Sequence, residues 1–444
     1  MRRTILKILE MVVAVILVFS LAACGSTIKS LDKTADMETG KPPLLTLWHQ
    51  WVVEDNTGVN TLNNAIKEWN GKNPDKMVQA LGVNTEQYKI KIKSALAAGD
   101  APDIFYMWGG SFSGPYIKNG NILPLDEFLD DGTKDKLIPG TLEACTFNGK
   151  VYSLPMFTFV ANLYCNTELF DKAGAQIPST YDDLLIAVNK LRNARITPIV
   201  VGEKDRWPGM YWFSILAMRE AGAQACMDAL DNPSLFDQPA FLSAAQKLVE
   251  LIDAGAFNED ALSIGFSEML DEFKDGKAAM IYQGNWIDAV IEGSQNEAKG
   301  NIKAVPFPLI PGGKGIVEEF MGGNVDGFYI NVNTKYKEEA VEVLKFISEK
   351  ASKQGYLSGA GLPCWKMDEA DEDMVPPLTK NTAELMRSGK SFVDWWDTIL
   401  PAADSDVLKG LIAELYAGKM SPEGFINGLM HMDGVTDIKP YENY

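Results

Sequence analysis

Tryptophans set just past the ends of apolar runs are the residues of this sequence whose type and position could do chemistry. In "GKAAMIYQGNWID", residues 276–288, an apolar run stops at a Gly-Asn turn and a large indole, Trp286. Chain usually surfaces at such turns, so the ring either plugs the neighbouring core or is offered to something outside. Trp108 after "PDIFYM" and Trp207 after "ITPIVVG" repeat the placement, and Tyr211 follows Trp207 by one helical turn in "WPGMYW". "FVDWWDTIL" holds two adjacent indoles, of which Trp396 is taken as the outward one. Polar groups sit at the same kind of position. His49 and Gln50 end the first apolar run, Asn285 stands beside Trp286, and Asn324 and Asp326 occupy "GGNVDG", whose glycines let backbone approach a ligand closely. Flat apolar faces with a few convergent polar groups suit non-covalent capture of a small molecule.

Other chemistries lack their patterns. The two histidines, His49 and His431, form no HExxH, and no Cys-x-x-Cys occurs, so neither a metal nor another cofactor is expected. "PGGKG" at 311–315 misses the phosphate-loop spacing, and "GGSFSG" at 109–114 misses that of a nucleophile elbow. "MDEADEDM" at 367–374 lacks the glycine and ligand spacing of a calcium loop and reads as a solvated face.

The elements that must position these rings alternate between strand and helix. "LLTLW", "MVQALGV" and "PDIFYMW" read as strands, with helices ending in "AIKEWNGKNP" and running through "YKIKIKSALAAG" between them. In "STYDDLLIAVNKL", Tyr181, Leu184, Leu185 and Val188 keep helical spacing behind Thr180, with Asp183 placed for a capping box. Ala340, Val343, Leu344 and Ile347 share the face of a later helix, which follows the strand "VDGFYINVN". Alternation of this kind implies an α/β fold with a largely parallel sheet. A chain of 444 residues with 46% hydrophobic content exceeds one ordinary core, so two lobes are expected.

Charge and cysteines narrow the partners and the compartment. The formal net charge of −19 makes nucleic acid an improbable partner and opposes lying flat on anionic lipid. Residues 1–23 have a basic start, a short apolar run and small residues before Cys24, the pattern of a secretory signal peptide. The run is shorter than the roughly 20 apolar residues of a membrane helix. "LAAC" at 21–24 resembles the bacterial lipobox, which would make Cys24 the acylated first residue of the mature chain. Residues 24–43 then read as a flexible tether. Cys145, Cys165, Cys226 and Cys364 are too few for a disulfide framework and are expected as buried free thiols.

In order along the chain, "LAAC", "LTLWHQW", "ALAAGDAPDIFYMWGG", "NGNILPLDEFL", "FNGKVYSLPMFTFVANLYCNTELFDKAGAQIPSTYDDLLIAVNKL", "FKDGKAAMIYQGNW", "VPFPLIPGGKG" and "EEAVEVLKFIS" resemble the extracellular solute-binding proteins of bacterial ABC importers, in particular sugar-binding lipoproteins. Cys165 departs from the aromatic more usual in its segment. The resemblance implies a periplasmic-binding-protein-like fold of two α/β lobes, each a mostly parallel sheet flanked by helices. Lobe 1 would comprise 44–156 and 307–365, and lobe 2 would comprise 157–306 and 366–444. The crossings fall near Pro155, near Pro306 and after Trp365. It further implies a monomer, not an enzyme, held at the outer face of the cytoplasmic membrane by acyl chains on Cys24. Such a protein captures a carbohydrate in the interlobe cleft and hands it to a membrane permease. On that reading Trp286, Trp207, Trp108, Trp396 and Tyr211 stack on sugar rings, and Asn285, Asn324, Asp326, His49 and Gln50 bond to hydroxyls. Two rivals remain at this level. A secreted carbohydrate hydrolase would also want aromatic platforms but needs two carboxylates flanking the scissile bond. The same fold could instead serve a polyamine, for which acids and aromatic boxes are suited.

Overall fold

A computed structural model describes residues 42–52, 57–293 and 297–435, so Cys24 and most of the 24–43 segment lie outside the described residues. Strand β1 (Leu44–His49) buries Leu45 and Leu47 completely. Helix α1 (Thr57–Lys72), β2 (Met77–Gly82), α2 (Thr85–Ala98) and β3 (Ile104–Met107) follow, and β1 pairs in parallel with both β2 and β3. Short polar caps fix the helix ends. The Asn84 side chain accepts from the Glu86 amide at the start of α2, and Gly99 closes it at φ 76°.

The centre of the sheet is antiparallel and built from two long strands. Strand β4 (Ser153–Asn166) is buried along all 14 residues, so both of its faces meet the interior. After it come helix α3 (Tyr181–Asn193), β5 (Thr197–Ile199), helix α4 (Trp207–Ala221), helix α5 (Phe266–Lys274), β6 (Ala278–Gly284), β7 (Ile302–Val305) and β8 (Glu319–Ile330). Helix α6 (Lys337–Ser358), β9 (Leu362–Pro363), helix α7 (Pro377–Ser388) and β10 (Ser391–Val393) complete the set used below. The strand order is β2-β1-β3-β8-β4-β6-β5, with β7 and β9 paired to β4 and β10 paired to β8. The first half of β4, through Val160, pairs with β8, whereas Ala161 to Asn166 pair with β6 and β7. Parallel pairing thus belongs to the flanks of the sheet and to the short β8–β10 pair, whereas β4 and β8 run against each other and against β3, β6, β7 and β9.

The capping box expected at Thr180 and Asp183 is formed in both directions, and Ala340, Val343, Leu344 and Ile347 all face the core from α6. Cys145, Cys165, Cys226 and Cys364 are buried free thiols. Among the described residues no helix is long and apolar enough to cross a membrane.

Helix α4 presents Trp207 and Tyr211 from its first turns, and its far end is pinned by a buried cation. Arg219 donates from Nε to the Phe307 carbonyl at 3.2 Å and from Nη1 to the Ile316 and Glu319 carbonyls, each at 2.9 Å. Three carbonyls of the 307–319 segment are satisfied by this one guanidinium. Arg219→Leu is therefore expected to lower stability by about 3 kcal/mol in urea unfolding, since buried acceptors lose charged donors together.

Candidate functional site

Trp286 projects from a turn whose backbone is fixed from the side. Gly284 ends β6 with the indole folded back over it, so that a Cβ there would come within 2.1 Å of the ring. Asn285 is fully buried, and its Oδ1 accepts from the Val160 amide at 2.7 Å, which ties the turn to β4. The side chain expected to reach a ligand is thus the bolt that holds Trp286 in place. The indole meets Phe159 at 5.4 Å, Trp395 at 5.2 Å and Trp207 at 6.2 Å, each edge to face, while Tyr211 stacks on Trp395 at 4.9 Å. Edge-to-face contact supports the rings and leaves faces free.

Trp207 depends on the loop before it. Glu203 donates its amide to the Ala261 carbonyl at 2.7 Å, Asp205 Oδ2 accepts from the Phe266 amide at 2.7 Å, and Arg206 takes a left-handed φ of 66° immediately before the indole. A non-glycine residue in that region is held there by its surroundings. Glu203 is buried beneath, and burial pushes its carboxyl up to about 9.

The facing wall comes from β1, β3 and β8. Tyr106 carries Trp51 at 4.8 Å and Trp108 at 5.4 Å, and its hydroxyl donates to Asp326. Lys89 lies 5.3 Å over the Trp108 ring and pairs with Glu86 at 2.8 Å. The register of β8 against β4 slips between Gly322 and Val325 and again between Asp326 and Gly327. Such bulges re-aim side chains. Asp326 reaches the wall, whereas Asn324 is turned inward, giving Nδ2 to Asp326 Oδ1 at 3.1 Å.

These walls enclose a cavity of about 230 Å³. Gln50, Trp108, Trp207, Tyr211, Trp286 and Asp326 line it, so six of the ten side chains named from sequence come together. The other four are placed elsewhere. Trp396 is fully buried against Phe213 and Phe236, and its neighbour Trp395 takes the wall instead. The cause is local: the Asp394 carboxylate accepts the Trp395 amide just before the helical turn that begins at Trp396, and that turn carries the second indole inward. His49 is 3% exposed, burial lowers its imidazole to about 4, and Nδ1 accepts from the Trp51 amide at 3.3 Å. It is a neutral brace for Trp51. Asn285 and Asn324 serve the backbone and Asp326 as described.

Sequence reasoning missed Trp51, Tyr106, Phe157, Phe159, Asp205, Phe266, Trp395 and Asp397 on the wall. Trp51 had a signal, standing two residues past a strand end in "LTLWHQW". Phe157 and Phe159 had none, because β4 is buried on both faces and its sequence does not mark which side lines a cavity.

The model of the family "Bacterial extracellular solute-binding protein" matches residues 55–354. The chain belongs to that family. A xylose/arabinose-binding protein of Haloferax volcanii is 26% identical over 326 residues, 71% of this chain and 68% of that one. Among solved structures, one from a study of xylan utilization by the thermophilic bacterium Caldanaerobius polysaccharolyticus is 38% identical, with a TM-score of 0.84 over 87% of this chain and 99% of the other. A chitin oligosaccharide binding protein is 28% identical, with a TM-score of 0.80 over 88% and 98%. This solute-binding protein accordingly has the two-lobed α/β fold of its neighbours.

Two carboxyls of the solute-binding protein are pushed up to about 7 by burial: Asp326 on the wall, and Asp288, which accepts from Tyr164 and Thr382 behind Trp286. The folded state holds these protons where the unfolded chain, titrating near 3.8, has released them. The resulting stabilisation is complete below about pH 4 and is lost as pH rises to about 7. Urea unfolding at about pH 4.5 and 7.5 should show the wild type losing stability over this interval relative to Asp326→Asn, whose amide does not titrate.

Proposed function

We propose that this chain captures a carbohydrate, an oligosaccharide, in the aromatic cavity and delivers it to the permease of an ABC importer. The observation that carries the reading is the cluster of Trp207, Tyr211, Trp286 and Trp395 opposite Trp51, Tyr106 and Trp108, with Asp205, Asp326, Asp397 and Gln50 among them. The C–H faces of pyranose rings are apolar and their rims are hydroxyls, so aromatic plates with carboxylate and amide acceptors between them match both parts. The names of the xylose/arabinose-binding relative and the chitin oligosaccharide binding neighbour support the same ligand class.

Lobe 1 is assigned to 44–156 and 307–365, and lobe 2 to 157–306 and 366–444. The change of partner along β4, between Val160 and Ala161, supports a crossing just past Pro155; the passage from β7, paired to the far half of β4, to β8, paired to its first half, supports one near Pro306, and the β9–β4 pairing supports a third near Trp365. Closure about these strands would bring the two aromatic walls onto the sugar. The chain acts as a monomeric binding protein and not as an enzyme. It is tethered outside the cell through acyl chains on Cys24, a reading supported by "LAAC" and by the extracellular family.

Titration calorimetry over a panel of oligosaccharides and spermidine, with product analysis after long incubation, tests this reading. Saturable sugar binding without new products supports it, while polyamine binding or sugar cleavage would replace it. Trp286→Ala is expected to weaken the sugar by about 1 to 3 kcal/mol with the fold retained by circular dichroism. Unchanged affinity in a well-folded variant would remove Trp286 from the ligand's path.

A further inference from the structure

Carboxylates stand among the rings on both walls of the cavity. Asp205 comes two residues before Trp207 and Asp397 two residues after Trp395, whereas Asp326 accepts from Tyr106 and Glu86 pairs with the lysine that lies over Trp108. The four acids are thus supplied by four separate elements and share one space with the aromatic plates.

The cations nearby are already engaged. Lys89 is the one cationic side chain of the lining among the described residues, and its Nζ pairs with Glu86 at 2.8 Å while lying 5.3 Å over the Trp108 ring. Lys409 lies 3.8 Å from the Asp397 carboxylate and 3.8 Å from that of Asp406. Arg206, next to Asp205, points its guanidinium at Gly410 of the helix Ala402–Tyr416, where an added Cβ would come within 3.7 Å of it. Asp205 itself is held by a backbone amide, that of Phe266, at 2.7 Å.

Hydroxyls and carboxylates meet such walls differently. A sugar hydroxyl can donate to a carboxylate and gain a charge-assisted hydrogen bond. A ligand carboxylate has no proton to give and finds no unpaired cation among the described residues. It would also leave water beside fixed negative charge, where the low dielectric strengthens the repulsion. Asp326, whose carboxyl is pushed up to about 7 by burial, carries part of a charge at neutral pH, so discrimination falls mainly on Asp205 and Asp397. We propose that the site selects by charge: it takes uncharged oligosaccharides and rejects those that carry a uronate, with Asp205 and Asp397 as the residues that set this specificity. This rests on the carbohydrate reading above and narrows its ligand.

Titration calorimetry on the full chain tests this with maltotriose and chitotriose oxidised at C6 of one terminal ring, and with xylotriose bearing a glucuronosyl branch. Each is used as the carboxylate and as the isosteric, uncharged carboxamide, beside the plain sugars. For the sugar that binds, the carboxamide is expected to bind at least about tenfold tighter than the carboxylate. In Asp205→Asn, whose amide oxygen can still accept from Phe266, and in Asp397→Asn, which takes that partner from Lys409, the ratio should fall toward one. Glu338→Gln, at an exposed position of α6, should leave the ratio unchanged. A carboxylate that binds as tightly as its carboxamide, a loss of both forms together, or a ratio that persists in both Asn variants overturns this inference and leaves the carbohydrate reading standing. If no member of the set binds, both fall.

Discussion

Aromatic rings that must stay half in water cannot be held by their own burial, because the hydrophobic effect would fold them inward. Everything about this cavity follows from how that tendency is resisted. Trp286 lies on a glycine with its turn bolted to β4 through Asn285, and the neighbouring rings meet it edge-on. Trp207 is held by a loop tied to Ala261 and Phe266, and Trp51 is braced by a neutral His49. In each case a backbone or polar restraint adds to packing against neighbouring rings in setting the indole.

The same rigidity explains the buried acids. Asp326 and Asp288 lie where burial favours the protonated form, and both accept hydroxyl donors from tyrosines on the adjoining strands. Asp326 thereby ties β8 to β3, and Asp288 ties its helical turn to β4 and to Thr382 of α7, at the expense of easy ionisation. Arg219 does the equivalent for the 307–319 segment with three carbonyls. Polar groups inside the molecule therefore do structural work close to the cavity, and the aromatic faces meet whatever enters it.

Much of this was legible in the sequence, and what failed did so for local reasons. Strand ends were readable because apolar runs stop at Gly, Asn or Pro, and three of the indoles found there, Trp108, Trp207 and Trp286, line the cavity. The choice between Trp395 and Trp396 was not readable, since a helical turn of four residues decides which ring faces out. Asn285 and Asn324 have the right chemistry for a ligand, but each is buried and turned to another partner, Asn285 Oδ1 to the Val160 amide and Asn324 Nδ2 to Asp326. The parallel flanks followed from the β-then-α rhythm. The antiparallel pairing of β4 and β8 did not, because strands about 150 residues apart leave no local trace of their pairing.

Saturation-transfer NMR, with selective irradiation of the protein's aromatic protons in the presence of an excess of a bound oligosaccharide, tests the stacking account most directly. The account predicts the strongest transfer to the C–H protons on the faces of the sugar rings, with that transfer reduced in Trp286→Ala. Uniform or absent transfer to ring-face protons from a sugar bound with measurable affinity would contradict it.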